Sequence, residues 1–372
     1  MFQMLKKSII SIFILFILFI YLSQNRYTNE SIVISSSMPL SGIMKPWGEG
    51  AKNSIDAYFS YINQNNLLNN RKLEFVTLDD KYEPDLTEEN ISLLLSNPDT
   101  FLLFAMVGTP TVKRAIPIIN ENNSFLFAPF SGASFLRDNN FSTILNFRTS
   151  YEDEINSLVD YIVKEKKHQN IAIFYQNDEY GEEGYISFLK ALNKNKLNPS
   201  SFGTYTRNTL AINLAFNKIK EERPQTVFLI GSYKANALFI QKAKNSEEFK
   251  DTIFCNISFS DANSIVKELK DKDIDTSNLI FSQVVPNYLD ENIELAKEYH
   301  NIIKNYAINK ELSFLSFEAF LASKALVNAI KENINHLSLK KIYKSLKNRD
   351  CNGLEKKVYL FKYLDNNFIE IN

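Results

Sequence analysis

The chain has 372 residues, more than a single hydrophobic core usually holds, so two domains are expected. Hydrophobic residues make up 45% and charged residues 23%, a balance that indicates a packed globular protein and excludes a disordered one. The formal net charge is −1, with 42 basic and 43 acidic residues spread along the chain, which argues against a nucleic-acid partner.

The N-terminal segment has the pattern of an export signal. Lys6 and Lys7 precede an apolar run over residues 8–22, and polar residues follow. The run also approaches the ~20 residues that span a bilayer, so an uncleaved anchor is the alternative. We predict that residues 1–25 are a signal peptide or an N-terminal anchor. The rest of the chain then lies in the periplasm, and an uncleaved segment would tether it to the inner membrane.

The next part of the chain alternates β-rich runs with helical patterns. In the first helix Ala51, Ile55 and Ile62 recur at three- and four-residue steps, which predicts one buried stripe. The predicted elements in chain order are strand 32–38, a helix from residue 46, strand 73–78, helix 84–95, strand 101–107, helix 111–122, and strands 125–128 and 143–148.

A second series begins at Ser150, which with Asp153 forms a capping-box-like helix start. Its predicted elements are helix 150–167, strand 171–175, helix 179–195, strand 200–205, helix 210–221, strand 226–230, helix 234–244, strand 252–256, helix 261–269 and strand 279–284. Three helices, near 291–306, 316–332 and 339–346, and a hairpin of 357–363 with 368–371 complete the chain. Two βα series in succession predict an α/β protein with two doubly wound, Rossmann-like lobes.

Two cysteines, Cys255 and Cys351, are too few for a disulfide framework. In an oxidising compartment they can pair. Because Cys255 falls in the predicted buried strand 252–256, two unrelated buried thiols are the alternative. The fold must therefore be held by its cores.

The sequence lacks the strings of the common enzyme motifs, namely G-x-x-x-x-G-K-[ST], G-x-S-x-G and H-E-x-x-H. Gly48 and Gly50 begin like a dinucleotide loop, but Asn53 takes the place of the third glycine. Only three histidines are present, and His168 lies at the amino end of its strand, away from the carboxyl ends where ligand sites gather. We therefore predict no catalytic group, no metal site and no cofactor.

Short turns that contain Gly, Ser or Thr follow nearly every predicted strand. Their hydroxyls and the free N–H groups of the following helices can hold a polar or anionic group. Ser, Thr and Asp at helix starts also act as caps, which explains isolated cases. Their recurrence favours a ligand cleft. Trp47, the chain's only tryptophan, lies in the first turn of its helix and not on the buried stripe, which favours a cleft wall over a core position.

Five strings stand at these strand ends: Pro39-Leu40-Ser41-Gly42, Val107-Gly108-Thr109-Pro110-Thr111, Pro129-Phe130-Ser131-Gly132-Ala133, Phe147-Arg148-Thr149-Ser150-Tyr151 and Ile173-Phe174-Tyr175-Gln176-Asn177-Asp178-Glu179-Tyr180-Gly181. Their order resembles the type I periplasmic binding proteins, and among them the branched-chain amino-acid-binding proteins that serve ABC importers. The resemblance spans about residues 30–372. It implies two lobes that are joined by three crossover strands and close like a hinge. The first lobe would comprise 30–145 plus 284–334, and the second 146–283 plus 335–372.

The resemblance also implies a ligand site between the lobes. On the first lobe Trp47 would wall the cleft, and hydroxyls and backbone N–H groups would bind a ligand carboxylate. On the second lobe, tyrosines would close over the ligand. In the amino-acid binders of this family an acidic side chain of the second lobe meets the ligand's ammonium, and the corresponding stretch here, 257–261, offers only Asp261. The implied site residues are Trp47, Thr109, Thr111, Ser131, Gly132 and Ala133 of the first lobe, and Tyr151, Tyr180, Tyr233 and Asp261 of the second.

The function implied is that of an extracytoplasmic solute-binding protein, and not of an enzyme. It would capture a small polar ligand (an amino acid, a small carboxylate or an amide) and deliver it to the membrane subunits of an ABC importer. We expect a monomer. The alternative is an anchored sensory ectodomain of similar fold that reports the ligand to a membrane partner.

Overall fold

The computed structural model describes residues 31–138, 142–347 and 357–371. They form two α/β lobes, each built on its own β-sheet, as the sequence predicts. The predicted export segment 1–25 lies outside the described residues. None of the helices within the described residues is long and apolar enough to cross a membrane.

The first sheet has five parallel strands in the order β2-β1-β3-β4-β5. Its strands are β1 (Ile32–Met38), β2 (Leu73–Asp79), β3 (Thr100–Phe104), β4 (Leu126–Phe127) and β5 (Ile144–Leu145). The helices between these strands are α1 (Lys45–Gln64), α2 (Pro84–Ser96) and α3 (Thr109–Glu121).

Strands β3 and β4 end earlier than predicted. Ala105 and Ala128, which follow them, have φ values of 57° and 54°. This left-handed conformation turns the backbone out of the sheet and ends the regular ladder at each strand. The buried stripe of α1 is as predicted, since Ala51, Ile55 and Ile62 are almost wholly enclosed.

The second sheet has seven strands in the order β12-β11-β10-β9-β8-β6-β7. Five are parallel, and the hairpin of β11 and β12 joins them antiparallel at the edge of β10. Its strands are β6 (Ile171–Gln176), β7 (Phe202–Tyr205), β8 (Thr226–Ile230), β9 (Ile253–Asn256), β10 (Leu279–Gln283), β11 (Tyr359–Leu364) and β12 (Asn367–Ile371).

The helices of the second half follow the predicted order. In the described chain they are α4 (Tyr151–Asp160), α5 (Glu179–Lys194), α6 (Asn213–Glu221), α7 (Tyr233–Lys244), α8 (Ala262–Lys270), α9 (Glu294–Tyr306), α10 (Phe314–Glu332) and α11 (Leu339–Lys347). The capping box predicted at Ser150 and Asp153 opens α4, and the Ser150 side chain accepts from the Asp153 N–H at 3.1 Å.

The chain passes between the two sheets after β5 and again after β10, since α9 and α10 pack on α1 in the first lobe. We predicted residues 335–372 in the second lobe. Helix α11 packs against α10, and its Tyr343 ring contacts Phe125 of the first lobe at 5.5 Å. The hairpin of β11 and β12 pairs with β10 of the second sheet. Within the described residues, α11 therefore packs with the first lobe, and only the hairpin of this predicted segment joins the second sheet.

Candidate functional site

The turns after β3 and β4 bring two glycines against rings from other parts of the chain. Gly108 has a φ of 103°, and a Cβ there would lie 2.3 Å from the Tyr82 ring. A Cβ on Gly132 would lie 2.4 Å from the ring of Tyr151, whose N–H donates to the Gly132 carbonyl at 2.8 Å. Only glycine allows these close approaches. The two turns thereby place the start of α3 beside the start of α4.

Two hydroxyls meet where these turns converge. Thr109 Oγ1 and Ser131 Oγ are 2.8 Å apart, and both side chains are fully buried. The Ala133 N–H donates to Ser131 Oγ at 3.3 Å, and the Tyr151 hydroxyl lies 3.5 Å from Thr109 Oγ1. The structure thus brings together four of the predicted site residues. The Thr111 hydroxyl donates instead to the Gly108 carbonyl, at 3.0 Å, within the first turn of α3.

Phe259 lies at the centre of a ring cluster drawn from both lobes. It belongs to a short 3-10 turn after β9 of the second sheet. Its ring centroid is 4.7 Å from that of Trp47 and 6.3 Å from that of Tyr82, both of the first lobe. It is 4.9 Å from that of Tyr180 and 6.4 Å from that of Tyr151, both of the second lobe. Aromatic rings of the two lobes are thus in direct contact across the boundary.

Trp47 contacts both sides of this boundary. Its ring packs 5.3 Å from that of Phe130 in its own lobe, and its Nε1 donates to the Phe259 carbonyl at 3.0 Å. Only 1% of the side chain is exposed. Part of this enclosure comes from the second lobe, through the ring and the carbonyl of Phe259. We predicted Trp47 off the buried stripe of α1, but the residue lies four positions before Ala51 and is buried on the same face of the helix.

Two predicted residues, Tyr233 and Asp261, lie near each other at one side of the second lobe. Asp261 caps α8, and its carboxylate accepts from both the N–H and the hydroxyl of Ser264. Tyr233 begins α7 behind the cap residue Ser232. Burial, with the negative charges of Glu268 and Asp261, raises the pKa of Tyr233 to about 12. The Asp261 carboxylate, the one acidic group of the stretch 257–261 that could meet a ligand's ammonium, therefore caps the N-terminus of α8.

A buried group of charges joins the lobes below the ring cluster. Arg148 Nε lies 3.4 Å from Glu318 Oε1 of α10, and an Arg148 Nη2 hydrogen bond goes to Ser258 Oγ. Glu154 of α4 accepts from the Ser258 N–H at 2.8 Å and from the Ser282 hydroxyl at 2.7 Å. Burial raises the pKa of Glu318 to about 7, although the Arg148 charge opposes the rise. Arg148 therefore links three segments that come from both lobes.

A second set of polar contacts crosses the boundary at the loops after β2 and β7. Arg207 Nη2 lies 3.1 Å from Glu83 Oε2, and its Nη1 lies 3.3 Å from Asp178 Oδ2. Asn208 Nδ2 donates to Glu83 Oε1 at 2.7 Å and to the Lys81 carbonyl at 3.2 Å. We call these residues the boundary latch. The boundary latch and the ring cluster both consist of contacts between the two lobes, so the lobes are closed in this structure.

His168 and Cys255, two side chains that could carry chemistry, lie away from the boundary between the lobes. His168 bonds to Thr226 Oγ1 at 2.8 Å at the amino end of β8. Cys255 is a free, fully buried thiol whose pKa is raised by burial, and Cys351 lies outside the described residues. Within the described residues no group of His, Cys, Asp and Glu side chains could hold a metal ion.

Several residues of the boundary were not predicted as site residues, among them Phe259, Arg148 and Tyr82. Phe259 lies in the stretch 257–261, Arg148 in the string that ends at Tyr151, and Tyr82 in the turn after β2. An aromatic residue in a turn directly after a strand is the signal that could have found Phe259 and Tyr82, because such a turn seldom needs a large apolar side chain.

Comparisons with known proteins agree with this geometry. A family model described as periplasmic binding protein matches residues 31–367. A solved structure titled as a possible leucine/isoleucine/valine-binding protein from Rhodopirellula baltica is 26% identical, with a TM-score of 0.84 over 93% of this chain and 97% of that one. A branched-chain amino-acid ABC transporter protein from Thermus thermophilus with bound valine is 14% identical, with a TM-score of 0.81 over 92% and 96%.

A curated relative gives a partial match. The Leu/Ile/Val-binding protein homolog 3 of Brucella melitensis is 22% identical over 209 residues, which are 55% of this chain and 55% of that protein. The chain thus matches about half the length of this relative, whereas the family model covers nearly all of the described residues. The resemblance seen in the sequence is confirmed. The chain belongs to the periplasmic binding protein family, a family of binding proteins and not of enzymes.

Proposed function

We propose that this protein is an extracytoplasmic solute-binding protein that captures a small polar ligand between its two lobes for an ABC importer. An amino acid, a small carboxylate or an amide is the class of ligand that the family suggests. One observation carries the proposal. The Trp47 side chain of the first lobe donates to the carbonyl of Phe259 in the second, amid rings and hydroxyls from both lobes.

The mechanism follows from the position of this boundary. A ligand that contacts both lobes stabilises the closed molecule by the difference between its affinities for the closed and open states. The membrane subunits of an importer would recognise the closed form. The chain would act as a monomer in the periplasm, with residues 1–25 directing export or serving as an anchor.

A thermal-shift screen of the mature protein against amino acids, short carboxylates and amides tests the proposal. At a ligand concentration 100-fold above Kd, binding should raise the free energy of unfolding by about 2.7 kcal/mol. A folded, ligand-free sample that no compound of a broad metabolite screen stabilises would contradict it.

A further inference from the structure

The ring cluster limits which ligands fit between the lobes, if the proposed function holds. Phe259 projects from the second lobe among Trp47, Tyr82, Tyr151 and Tyr180. A ligand that enters there displaces Phe259 or stacks on it, and in either case its body meets aromatic faces and edges. Such surroundings favour an apolar or aromatic body.

The polar groups beside the rings suit a carboxylate. Thr109 Oγ1 and Ser131 Oγ lie 2.8 Å apart and are fully buried, and the Ala133 N–H points at the same place. Hydroxyls can donate to an anion, and two donors this close can each bind one oxygen of a single carboxylate.

An ammonium group finds no acidic partner there. Each acidic side chain near the boundary already accepts hydrogen bonds or an ion pair from the protein itself. The engaged groups are Asp80 with Ser37, Glu83 with Arg207, Glu154 with Ser258, Asp178 with Arg207, Glu179 with Lys113, Glu183 with the Ser134 N–H, Asp261 with Ser264, and Glu318 with Arg148.

A buried cation below the rings, Arg148, has donors that lack acceptors in the part of the chain that the structure describes. Arg148 is fully buried, and its Nε and Nη1 have no hydrogen-bond acceptor among the described residues. A buried ammonium without a carboxylate costs much more than a buried carboxylate that reaches hydroxyl and N–H donors.

We propose that the cleft binds a carboxylate that has an apolar or aromatic body and no ammonium group, and that Phe259 sets this preference. The Phe259 side chain presents an apolar ring where an α-amino acid would need an acceptor. A carboxylic acid with the same body keeps the contacts to Thr109 and Ser131 and buries no unpaired charge. Aromatic faces can also attract cations, so amines form a third arm of the test.

Isothermal titration calorimetry on the mature protein tests this with two matched series. The first is isocaproate, leucine and isoamylamine, and the second is hydrocinnamate, phenylalanine and phenethylamine. In each series that binds, the acid should bind at least tenfold more tightly than the amino acid, and the amine should bind most weakly. An amino acid or an amine that binds as tightly as its acid overturns the proposal.

Substitution of Phe259 assigns the preference to this residue. Phe259→Glu supplies an acceptor for an ammonium and should shift the ratio of affinities at least tenfold toward the amino acid. Phe259→Leu keeps the site apolar and should preserve the preference for the acid, which covers the case in which the Glu variant does not fold. The control is Phe202→Glu, a partly exposed position on β7 of the same lobe, and it should leave the ratio unchanged. An unchanged ratio in a folded Phe259→Glu protein overturns the role of Phe259.

The outcomes also separate this inference from the proposed function. If neither series binds but the broad screen finds a ligand, a carboxylate without an ammonium group supports the inference, and any other ligand overturns it while the binding function stands. If no compound binds, both fail.

Discussion

At the scale of single residues, Trp47 shows how one side chain can serve two states of the molecule. In the closed form it is enclosed by Phe130 of its own lobe and by Phe259 of the other. Opening the lobes removes the second contact and the hydrogen bond from Nε1, but leaves the first. Truncation of this ring should therefore affect closure and binding more than folding.

We predict that Trp47→Ala weakens ligand binding by ~1–3 kcal/mol, the value of a buried aromatic contact, and barely changes the stability of the ligand-free protein. Calorimetry and chemical denaturation measure the two effects. Phe104→Ala, in the core of the first sheet, is the control and should lose roughly 3–5 kcal/mol of stability. A Trp47→Ala protein that is strongly destabilised while its folded fraction binds normally would show that the ring is a core residue.

At the scale of elements, the loops after β2 and β7 act on closure through the boundary latch. Glu83 accepts from both Arg207 and Asn208 across the boundary, and these side chains are partly exposed. An exposed ion pair contributes about 0.2–1 kcal/mol and is screened by salt. Because the contacts exist only when the lobes are closed, their loss should favour the open form.

We predict that Glu83→Gln lowers ligand affinity by roughly 1.5- to 5-fold at low ionic strength, and that the difference shrinks at high salt. Titration calorimetry at two salt concentrations measures this. Glu294→Gln breaks an ion pair with Lys297 inside α9, away from the boundary, and should change affinity at neither concentration. Equal affinities of Glu83→Gln and the unaltered protein at low salt would count against the latch.

At the scale of the whole molecule, the buried charges below the rings connect the lobes and make stability depend on pH. Glu318 has a pKa near 7 in the folded protein because of burial, against an ordinary value of 4.5. Between these values the folded protein binds a proton that the unfolded chain does not. The stability contributed by this proton is present at acid pH and is lost as the pH rises through about 7.

We predict that the free energy of unfolding falls by about 1–3 kcal/mol between about pH 5 and pH 8 through Glu318, and that Glu318→Gln removes this part of the fall. Asp80, whose pKa burial raises to about 6, contributes in the same direction and remains in both proteins. The control is Glu121→Gln, at an exposed position of α3. Denaturant titrations across this range provide the measurement, and parallel curves for Glu318→Gln and the unaltered protein would refute the assignment.

The sequence predicted the two-sheet fold because hydrophobic periodicity is local and most elements of this chain are strongly periodic. The resemblance to the periplasmic binding proteins also pointed to a set of residues that the structure brings together, namely Trp47, Thr109, Ser131, Tyr151 and Tyr180. Their contact with a ligand stays a prediction.

What the sequence could not predict depends on contacts between distant segments. The charge group joins Arg148 to Ser258 and Glu318, and the intervening chain gives no sign that these residues meet. Asp261 shows a second limit of prediction from the sequence, because a residue of a suitable type can be engaged by a local contact. It was the only acidic residue of its stretch, yet the backbone turns it toward Ser264 at the start of α8.

The packing of α1 on α9 and α10 has a consequence for how the chain acquires its structure during synthesis. The Ser54 hydroxyl of α1 donates to the Ser316 carbonyl of α10 at 2.7 Å. Helix α1 can therefore complete its packing only after a segment more than two hundred residues later in the chain has been synthesised. The entire second sheet except its last hairpin is translated in between. Such a high contact order slows folding, and an early segment cannot complete its hydrophobic core alone. In a nascent chain of this design, the first lobe would therefore complete its core only after the strands β6 to β10 of the second sheet have been synthesised.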